Sequence, residues 1–272
     1  MKKYAVIGEK LSHSLSPEIH DFIFKMLGLD ANYIIREFPR EETPVIIEKL
    51  KEENYQGINV TIPYKQDIMP YLDEISPEAA SIGAVNTVVF KNGRTSGYNT
   101  DYYGFGKSLE HEHVNLNGRK TVILGAGGAA KALIAYCHDA NASSILVAAR
   151  SLDKLLVLKE QFPYIQTVLF EDKDKIAGDV IINATPVGMY PKTVGESPVT
   201  DEIIKRFSAA VDIIYNPLCT RFIKIAADHG LTVVTGLYML IYQAIKAEEI
   251  FQGLPIDYHM GEDIYKLLAA RF

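Results

Sequence analysis

Two side chains of opposite charge, Lys65 and Asp101, are the first candidates for chemistry. Reduction of a carbonyl group needs a proton donor for the oxygen, and a lysine beside a carboxylate can supply that proton. Asn86 stands inside an apolar predicted strand, where a buried carboxamide needs hydrogen-bond partners. With Thr61, which ends another predicted strand, it could bind hydroxyl groups of a substrate. Plainer interpretations stay open, namely Lys65 as a surface residue and Asp101 as a helix N-cap.

The segment Ser14–Pro17 places two hydroxyls next to the start of a predicted helix. Pro17 is typical of a first helical turn, so Ser16 can be the N-cap of that helix. Ser14 and Ser16 could instead direct two hydroxyls at one carboxylate near the helix N-terminus. Both interpretations are compatible with the sequence.

A glycine-rich segment, Gly125–Ala130, follows an apolar predicted strand and opens a predicted helix. That context is typical of a dinucleotide-binding loop. Gly125 permits the tight turn, Gly127 lets the backbone approach a pyrophosphate, and Ala130 allows close helix–strand packing. The helix N-terminus offers N–H groups and a partial positive charge to the phosphates. The pattern predicts nucleotide binding, with a merely tight strand–helix turn as the alternative.

The choice of nucleotide depends on the end of the next predicted strand, about 20 residues further on. An NAD site would have Asp or Glu there for the ribose hydroxyls, whereas this chain has Arg150, with Lys154 one helical turn later. A guanidinium can stack on adenine and pair with a 2′-phosphate. We therefore predict NADP, although Arg150 and Lys154 also fit a solvated helix start.

Short β-branched runs alternate with helical patterns along the chain, which predicts an α/β fold. The first half indicates a sheet with mixed or mainly parallel pairing and a hairpin at Asn92-Gly93. The second half has the apolar strands of a doubly wound parallel sheet. The predicted strands are Tyr4–Gly8, Asn32–Phe38, Gly57–Thr61, Ala84–Phe90, Arg94–Tyr98, Lys120–Leu124, Ser144–Ala149, Asp179–Asn183, Ala210–Ile214 and Thr232–Thr235. The predicted helices are Pro17–Leu27, Glu42–Lys51, Asp101–His111, Gly128–His138, Leu152–Gln161, Leu237–Gln252 and Asp257–Ala270.

These elements divide the chain into two predicted domains. Residues 1–101 form an N-terminal α/β domain that holds the candidate substrate site. Residues 102–236 form a Rossmann-type doubly wound domain for the dinucleotide. The last helices, within residues 237–272, are not followed by a strand, and we expect them to pack back onto the first domain.

Composition and charge narrow the class of protein. A formal net charge of −6 argues against a nucleic-acid partner, which needs a basic face. No apolar stretch approaches the ~18 residues of a membrane span, and the N-terminal segment is not typical of a secretory signal. Cys137 and Cys219 lack metal-ligand spacing, which predicts buried free thiols and a cytoplasmic location. The histidines, among them His13, share no predicted face at ligand spacing, so we expect no metal.

Eight blocks of the sequence, in order and spread over nearly the whole chain, resemble the shikimate dehydrogenase (shikimate/quinate dehydrogenase) family. They are Ser14–Pro17, Asn59–Lys65, Gly83–Thr87, Asn99–Asp101, Gly125–Ala129, Asn183–Met189, Asp212–Pro217 and Gly236–Ala244. Each block is modest alone, and together they are highly specific. The resemblance implies two α/β domains with the active site in the cleft between them.

The resemblance also implies an activity, the reversible reduction of 3-dehydroshikimate to shikimate with NADPH in the biosynthesis of aromatic amino acids. Lys65 and Asp101 would be the catalytic pair, with Lys65 exchanging a proton with the C3 oxygen. The residues expected to bind substrate are Ser14, Ser16, Thr61, Asn86, Tyr215 and Gln243. The residues expected to bind cofactor are Gly125, Ala126, Gly127, Gly128, Ala129, Arg150, Lys154, Asn183, Thr185, Gly236 and Met239.

The chain differs from the usual family pattern at Ala149, where Asn is common, and at Tyr238, where Gly is common. Two alternatives to the main prediction therefore remain. One is a quinate/shikimate dehydrogenase with broader substrate or NAD use. The other is a nucleotide-sensing paralogue with weak catalysis, against which the presence of Lys65 and Asp101 argues. We expect a small-molecule substrate and a monomer or homodimer.

Overall fold

The computed structural model describes residues 1–11, 14–172 and 175–271. The chain forms two compact units. The first comprises Met1–Tyr103 with Ile241–Ile264, and the second comprises Gly104–Leu240 with the C-terminal residues from Tyr265 onward. In the described part of the chain, no helix is both long and apolar enough to cross a membrane.

The first unit contains a six-stranded sheet in the order β2-β1-β3-β5-β6-β4. Strands β1, β2 and β3 pair in parallel, β5 runs antiparallel to β3 and β6, and β4 runs parallel to β6. Mixed pairing was one of the two predicted alternatives. Its elements are β1 (Lys2–Gly8), α1 (Ser16–Leu27), β2 (Ala31–Glu37), α2 (Thr43–Glu52), β3 (Tyr55–Val60), α3 (Tyr64–Asp67), β4 (Glu74–Ile75), α4 (Pro77–Ile82), β5 (Thr87–Lys91), β6 (Arg94–Tyr98) and the first residues of α5 (Thr100–His111).

The predicted hairpin between β5 and β6 is confirmed. Asn92 and Gly93 both have positive φ, 52° and 75°, as the tight turn of a two-residue hairpin requires. The first strand of this hairpin, β5, begins at Thr87 and not at Ala84 as predicted. The backbone of Asn86 nevertheless bonds to both neighbouring strands, since its N–H donates to Tyr98 O and its O accepts from the N–H of Val60.

The second unit contains a six-stranded, fully parallel sheet in the order β12-β11-β10-β7-β8-β9. Chain order reverses between β7 and β10, which is the doubly wound arrangement predicted. Its elements are the later residues of α5, β7 (Lys120–Leu124), α6 (Gly128–Asp139), β8 (Ser144–Ala149), α7 (Leu152–Gln161), β9 (Gln166–Leu169), β10 (Val180–Asn183), α8 (Asp201–Ile204), β11 (Ala209–Asp212), α9 (Arg221–Asp228), β12 (Thr232–Val234), the first residues of α10 (Gly236–Gln252) and the last residues of α11 (Met260–Ala269).

The prediction lacks strands β4 and β9 and helices α3, α4, α8 and α9. Strand β9 is a four-residue edge strand whose first two residues are polar and exposed, so its apolar residues are only Val168 and Leu169. Helix α8 is four residues long, too short for a clear helical period. Helix α9 is eight residues long and places Phe222, Ile223 and Ala226 on one buried face, a helical pattern that the prediction missed. The prediction of buried thiols holds for Cys137 and is wrong for Cys219, which is exposed.

The later residues of α10 pack on the first sheet. A Cβ at Gly57 of β3 would come within 2.4 Å of the Phe251 ring, so only glycine admits that ring. Glu248, three residues earlier, is fully buried and pairs with the buried His20 at 2.5 Å between Oε1 and Nδ1. The His20 ring in turn stacks on Tyr33 with centroids 3.9 Å apart.

In the second unit, Tyr238 has a packing role. Its ring stacks on Tyr265 of α11 with centroids 4.3 Å apart, and it lies 3.8 Å from the ring of His111 in α5. Three helices of this unit therefore meet at Tyr238.

A buried carboxylate, Asp212 at the end of β11, joins the loops that follow β10 and β11. Its Oδ1 accepts hydrogen bonds from Asn183 Nδ2 at 3.1 Å and from the N–H of Ile214 at 3.0 Å. Its Oδ2 accepts from the Thr220 hydroxyl at 2.7 Å. Loss of water around the carboxylate raises the pKa of Asp212 to about 6, and the three hydrogen bonds offset part of that effect.

This raised pKa predicts a pH-dependent stability. The folded protein keeps the Asp212 proton to higher pH than the unfolded chain, whose aspartate pKa is 3.8. The free energy of unfolding should therefore fall as pH rises from about 4 to about 6, by an amount on the order of 3 kcal/mol from this residue. Asp212→Asn stays neutral, so its stability relative to the unsubstituted protein should rise over that range.

The measurement is urea denaturation of the protein and of Asp212→Asn at pH 4 and pH 7. Asp228→Asn, which changes an exposed aspartate of the same unit, is the control. A stability difference between the protein and Asp212→Asn that is equal at both pH values would contradict the account.

Candidate active site

Lys65 and Asp101 form an ion pair in the first unit, with Nζ and Oδ2 2.5 Å apart. Both side chains are largely buried, at 17% and 11% exposure. Helix α3 positions the lysine, whose carbonyl accepts a hydrogen bond from the N–H of Val85 at 2.7 Å. Asp101 lies in the first turn of α5, where the helix dipole favours a negative charge. The arrangement holds an ammonium group at one defined point.

The interpretation of Asp101 as a helix N-cap is wrong. The N–H of Tyr102 donates to the side-chain oxygen of Asn99 at 3.3 Å, so Asn99 caps α5. The Asp101 carboxylate instead accepts hydrogen bonds from two side chains, Lys65 at Oδ2 and Asn86 at Oδ1.

Asn86 has the hydrogen-bond partners that a buried carboxamide requires. It is 2% exposed. Its Nδ2 donates to Asp101 Oδ1 at 2.9 Å and to Thr100 Oγ1 at 3.0 Å, and its Oδ1 accepts from the Thr100 N–H at 2.7 Å. Gln243 of α10 comes to the same place, with its Oε1 3.5 Å from the Thr100 hydroxyl. Four of the predicted residues thus meet: Lys65, Asn86, Asp101 and Gln243.

Thr61, Ser14 and Ser16 are half-buried residues of the first unit. Thr61 directly follows β3, and a Cβ at Gly8 would lie 2.9 Å from its methyl carbon, so glycine admits this approach. Helix α1 begins at Ser16 after Leu15, without a side-chain cap, so the N-cap interpretation of Ser16 is wrong. Ser14 Oγ accepts a hydrogen bond from the N–H of Ser16 at 3.3 Å.

The glycine-rich loop lies between β7 and α6 at the point where strand order reverses. Gly125 has φ +112°, and its Cβ would lie 2.8 Å from the carbonyl oxygen of Ala184, so no other residue fits this turn. Gly127 is the N-cap of α6 and has no side chain to bond the first-turn N–H groups. A Cβ at Gly127 or Gly128 would meet no atom within 4 Å. The helix N-terminus therefore opens onto free space, which fits a pyrophosphate. Ala126 and Ala129 complete the loop.

Arg150 follows β8 and is exposed, as is Lys154. Ser151 caps α7 by accepting a hydrogen bond from the N–H of Lys154 at 3.3 Å. Within residues 1–11, 14–172 and 175–271, Arg150 has no ion-pair partner, so its guanidinium is available for a phosphate monoester. Ala149 is buried at the end of β8.

Asn183 and Thr185 organise the loop that follows β10. The Asn183 Oδ1 accepts from the Thr185 N–H at 3.0 Å and from its hydroxyl at 2.7 Å. Gly236 lies so close to the backbone of Ile213 that a Cβ would be 2.4 Å from the Ile213 carbonyl. Met239 is a buried residue of α10. The phenol of Tyr215 is itself partly removed from water, which raises its pKa. Met239 and Tyr215 belong, like the others, to the second unit.

Several residues that shape these sites received no role in the sequence analysis. Thr87, Thr100 and Asn59 bond Asn86, and Asp212 bonds Asn183. The sequence did contain a signal for two of these residues, because Asn59 and Thr87 are polar residues within apolar strands and buried polar side chains need hydrogen-bond partners. In the described chain, which excludes His13, no three His, Cys, Asp or Glu side chains are grouped as a metal site needs.

Comparison with known proteins matches both parts of the chain to family models. Residues 6–88 match the shikimate dehydrogenase substrate binding domain, and residues 108–211 match shikimate / quinate 5-dehydrogenase. A relative from Clostridium perfringens named shikimate dehydrogenase (NADP(+)) is 46% identical over 100% of both chains.

Solved structures agree along the whole chain. Shikimate dehydrogenase 1 from Peptoclostridium difficile is 41% identical with a TM-score of 0.90, covering 100% of this chain and 99% of that one. A shikimate 5-dehydrogenase from Thermus thermophilus, solved in complex with NADP(H) and shikimate, is 36% identical with a TM-score of 0.87, covering 97% and 98%. Because the likeness spans the full length at this identity, the chain belongs to the shikimate dehydrogenase family.

Proposed function

We propose that this protein catalyses the reversible, NADP-dependent reduction of 3-dehydroshikimate to shikimate, in the chorismate route to aromatic amino acids. The observation that carries the proposal is the Lys65–Asp101 ion pair, bonded through Asp101 to the buried Asn86. An ammonium fixed beside hydroxyl-binding groups suits a substrate with a ring carbonyl and neighbouring hydroxyls. The name of the Clostridium perfringens relative supports both the reaction and the cofactor.

Lys65 is the proton donor in this proposal. Bound NADPH supplies the hydride, so the carbonyl oxygen gains negative charge as the carbon is reduced. Lys65 Nζ donates its proton to that oxygen, and in the reverse direction it accepts the proton from the hydroxyl. Asp101, 2.5 Å away, keeps the ammonium oriented toward the substrate and limits its rotamer freedom.

The other predicted residues of the first unit would hold the ring. Thr61, Asn86, Asp101 and Gln243 would bind ring hydroxyls, which is supported by the meeting of the last three around Thr100. Ser14 and Ser16, with Tyr215, would bind the carboxylate. Their hydroxyls are donors, and burial of Tyr215 keeps its phenol protonated.

The second unit would hold NADP. The open N-terminus of α6 suits the pyrophosphate, and the exposed Arg150 and Lys154 suit the 2′-phosphate. Asn183, Thr185, Gly236 and Met239 would lie by the ribose or nicotinamide. The loop residues assigned to the pyrophosphate are Gly125, Ala126, Gly127, Gly128 and Ala129.

The remaining assignments follow from this activity. Residues 1–101 would be the substrate domain, assisted by α10, and residues 102–236 the NADP-binding domain. The small polar metabolites of this reaction suit a cytoplasmic enzyme, acting as a monomer or homodimer. Quinate is the second candidate substrate, because the description of the family model that matches residues 108–211 also names it.

The direct test is to follow reduced nicotinamide by absorbance with shikimate or quinate as donor, each with NADP and with NAD. We expect the highest kcat/KM for shikimate with NADP. A preference for quinate or NAD would overturn the substrate or cofactor assignment. Tight nucleotide binding without turnover of either donor would favour the sensor alternative.

Arg150→Ala tests the 2′-phosphate assignment separately. Loss of a charge-assisted hydrogen bond should raise the KM for NADP by about 10-fold or more and leave the KM for NAD unchanged. Arg119→Ala, which changes a partly exposed arginine of the second unit whose hydrogen bond goes to Ser208, is the control. Equal increases in KM for NADP and NAD would show that Arg150 does not read the 2′-phosphate.

A further inference from the structure

A line of buried hydrogen bonds runs through the first sheet and ends at Asp101. The Tyr33 hydroxyl donates to Asn59 Oδ1 at 2.7 Å, and Asn59 Nδ2 donates to Thr87 Oγ1 at 3.0 Å. The Thr87 hydroxyl donates to Asn86 Oδ1 at 3.0 Å, and Asn86 Nδ2 donates to Asp101 Oδ1 at 2.9 Å. Every residue in this line is buried.

The register of the sheet produces this line. Asn59 of β3 and Thr87 of β5 are direct partners across an antiparallel pair, so their side chains share one face. Tyr33 reaches the same face from β2, two strands away. Its ring is held from behind by the stacked His20, which pairs with Glu248 of α10.

The hydrogen bonds have one direction throughout. Tyr33 has a single hydroxyl proton, and donating it to Asn59 turns the Asn59 oxygen toward the tyrosine. The Asn59 amide nitrogen then faces Thr87 and the carbonyl oxygen of Asn86, which lies 3.3 Å away. Because Thr87 Oγ1 receives a proton from Asn59, its own proton is left for Asn86 Oδ1 at 3.0 Å, which is nearer than the other neighbouring oxygen, Thr100 Oγ1 at 3.3 Å.

The last step fixes which atoms of Asn86 face the ion pair. Its oxygen receives the Thr87 hydroxyl and the Thr100 N–H, so its nitrogen is left facing Asp101 Oδ1. A reversed Asn86 would set its oxygen against the carboxylate and its nitrogen against the Thr100 N–H. Both contacts would be repulsive in a buried place.

We propose that Thr87, with Asn59 and Tyr33, positions the ion pair for the proposed reduction of 3-dehydroshikimate, and the inference rests on that proposed function. In the described structure these residues make no hydrogen bond to Lys65, and their line of hydrogen bonds reaches the ion pair through Asn86. They hold Asn86 in one orientation, Asn86 holds Asp101 Oδ1, and Asp101 Oδ2 is thereby held for Lys65. The donor order from Tyr33 to Asp101 is the feature that does this.

The test removes the central hydroxyl and then restores it. Thr87→Val keeps the shape and deletes Oγ1, whereas Thr87→Ser keeps the hydroxyl. We expect Thr87→Val to lower kcat for shikimate oxidation by about 10-fold, with the KM for NADP unchanged and with activity recovered in Thr87→Ser. Tyr33→Phe, which deletes only the first donor and keeps the ring, should lower kcat by a smaller factor.

A second comparison separates positioning from a general loss of structure. In an Asp101→Asn background, Thr87→Val should cause no further loss of kcat, because the residue through which it acts is already changed. A loss of the same size in both backgrounds, or wild-type kcat in Thr87→Val, would overturn the proposal.

An activity-independent measurement keeps this result distinct from failure of the proposed function. Exchange of the Asn86 side-chain amide protons, followed by nuclear magnetic resonance, should be slow in the wild type and in Thr87→Ser and faster in Thr87→Val. Wild-type protein without shikimate turnover would refute the proposed function and the catalytic part of this inference. Unchanged exchange in Thr87→Val would refute the hydrogen-bond order itself.

Discussion

The charge of Asp101 is the constraint on which the first unit depends, because a buried carboxylate is unstable unless charges and donors compensate it. Three elements supply the compensation. Lys65 provides the opposite charge from α3, Asn86 provides a hydrogen bond from the position just before β5, and α5 provides the field of its N-terminus. What stabilises the carboxylate also fixes the lysine, so the stability of the site and its chemistry share one set of contacts.

The second unit also contains a buried carboxylate, Asp212, but its hydrogen-bond partners carry no charge. Asp212 receives an amide, a hydroxyl and a backbone N–H, all neutral donors, and burial raises its pKa to about 6. The carboxylate there serves to tie two loops together, whereas Asp101 serves to orient a charge.

The sequence predicted well those features that depend on local signals. The glycine loop, the doubly wound order of the second sheet and the hairpin at Asn92-Gly93 all rest on residue types that few conformations accept. The sequence-based prediction failed where the outcome depends on tertiary contacts. Asp101 and Ser16 had the residue types of N-caps, but Asn99 caps α5 and α1 has no side-chain cap. The pairing of Asn59 with Thr87 depends on strand register, which residue types alone do not specify.

The central claim is that Lys65 and Asp101 act as one unit, and a double-mutant cycle on kcat tests it most directly. Lys65→Ala should lower kcat by about 10²- to 10⁴-fold with little change in substrate affinity, while Lys49→Ala, which breaks an exposed ion pair with Glu42, should not. In the Lys65→Ala background, Asp101→Ala should cause almost no further loss. If the two losses multiply instead, the residues act independently, and the account of Asp101 as the group that orients the proton donor is wrong.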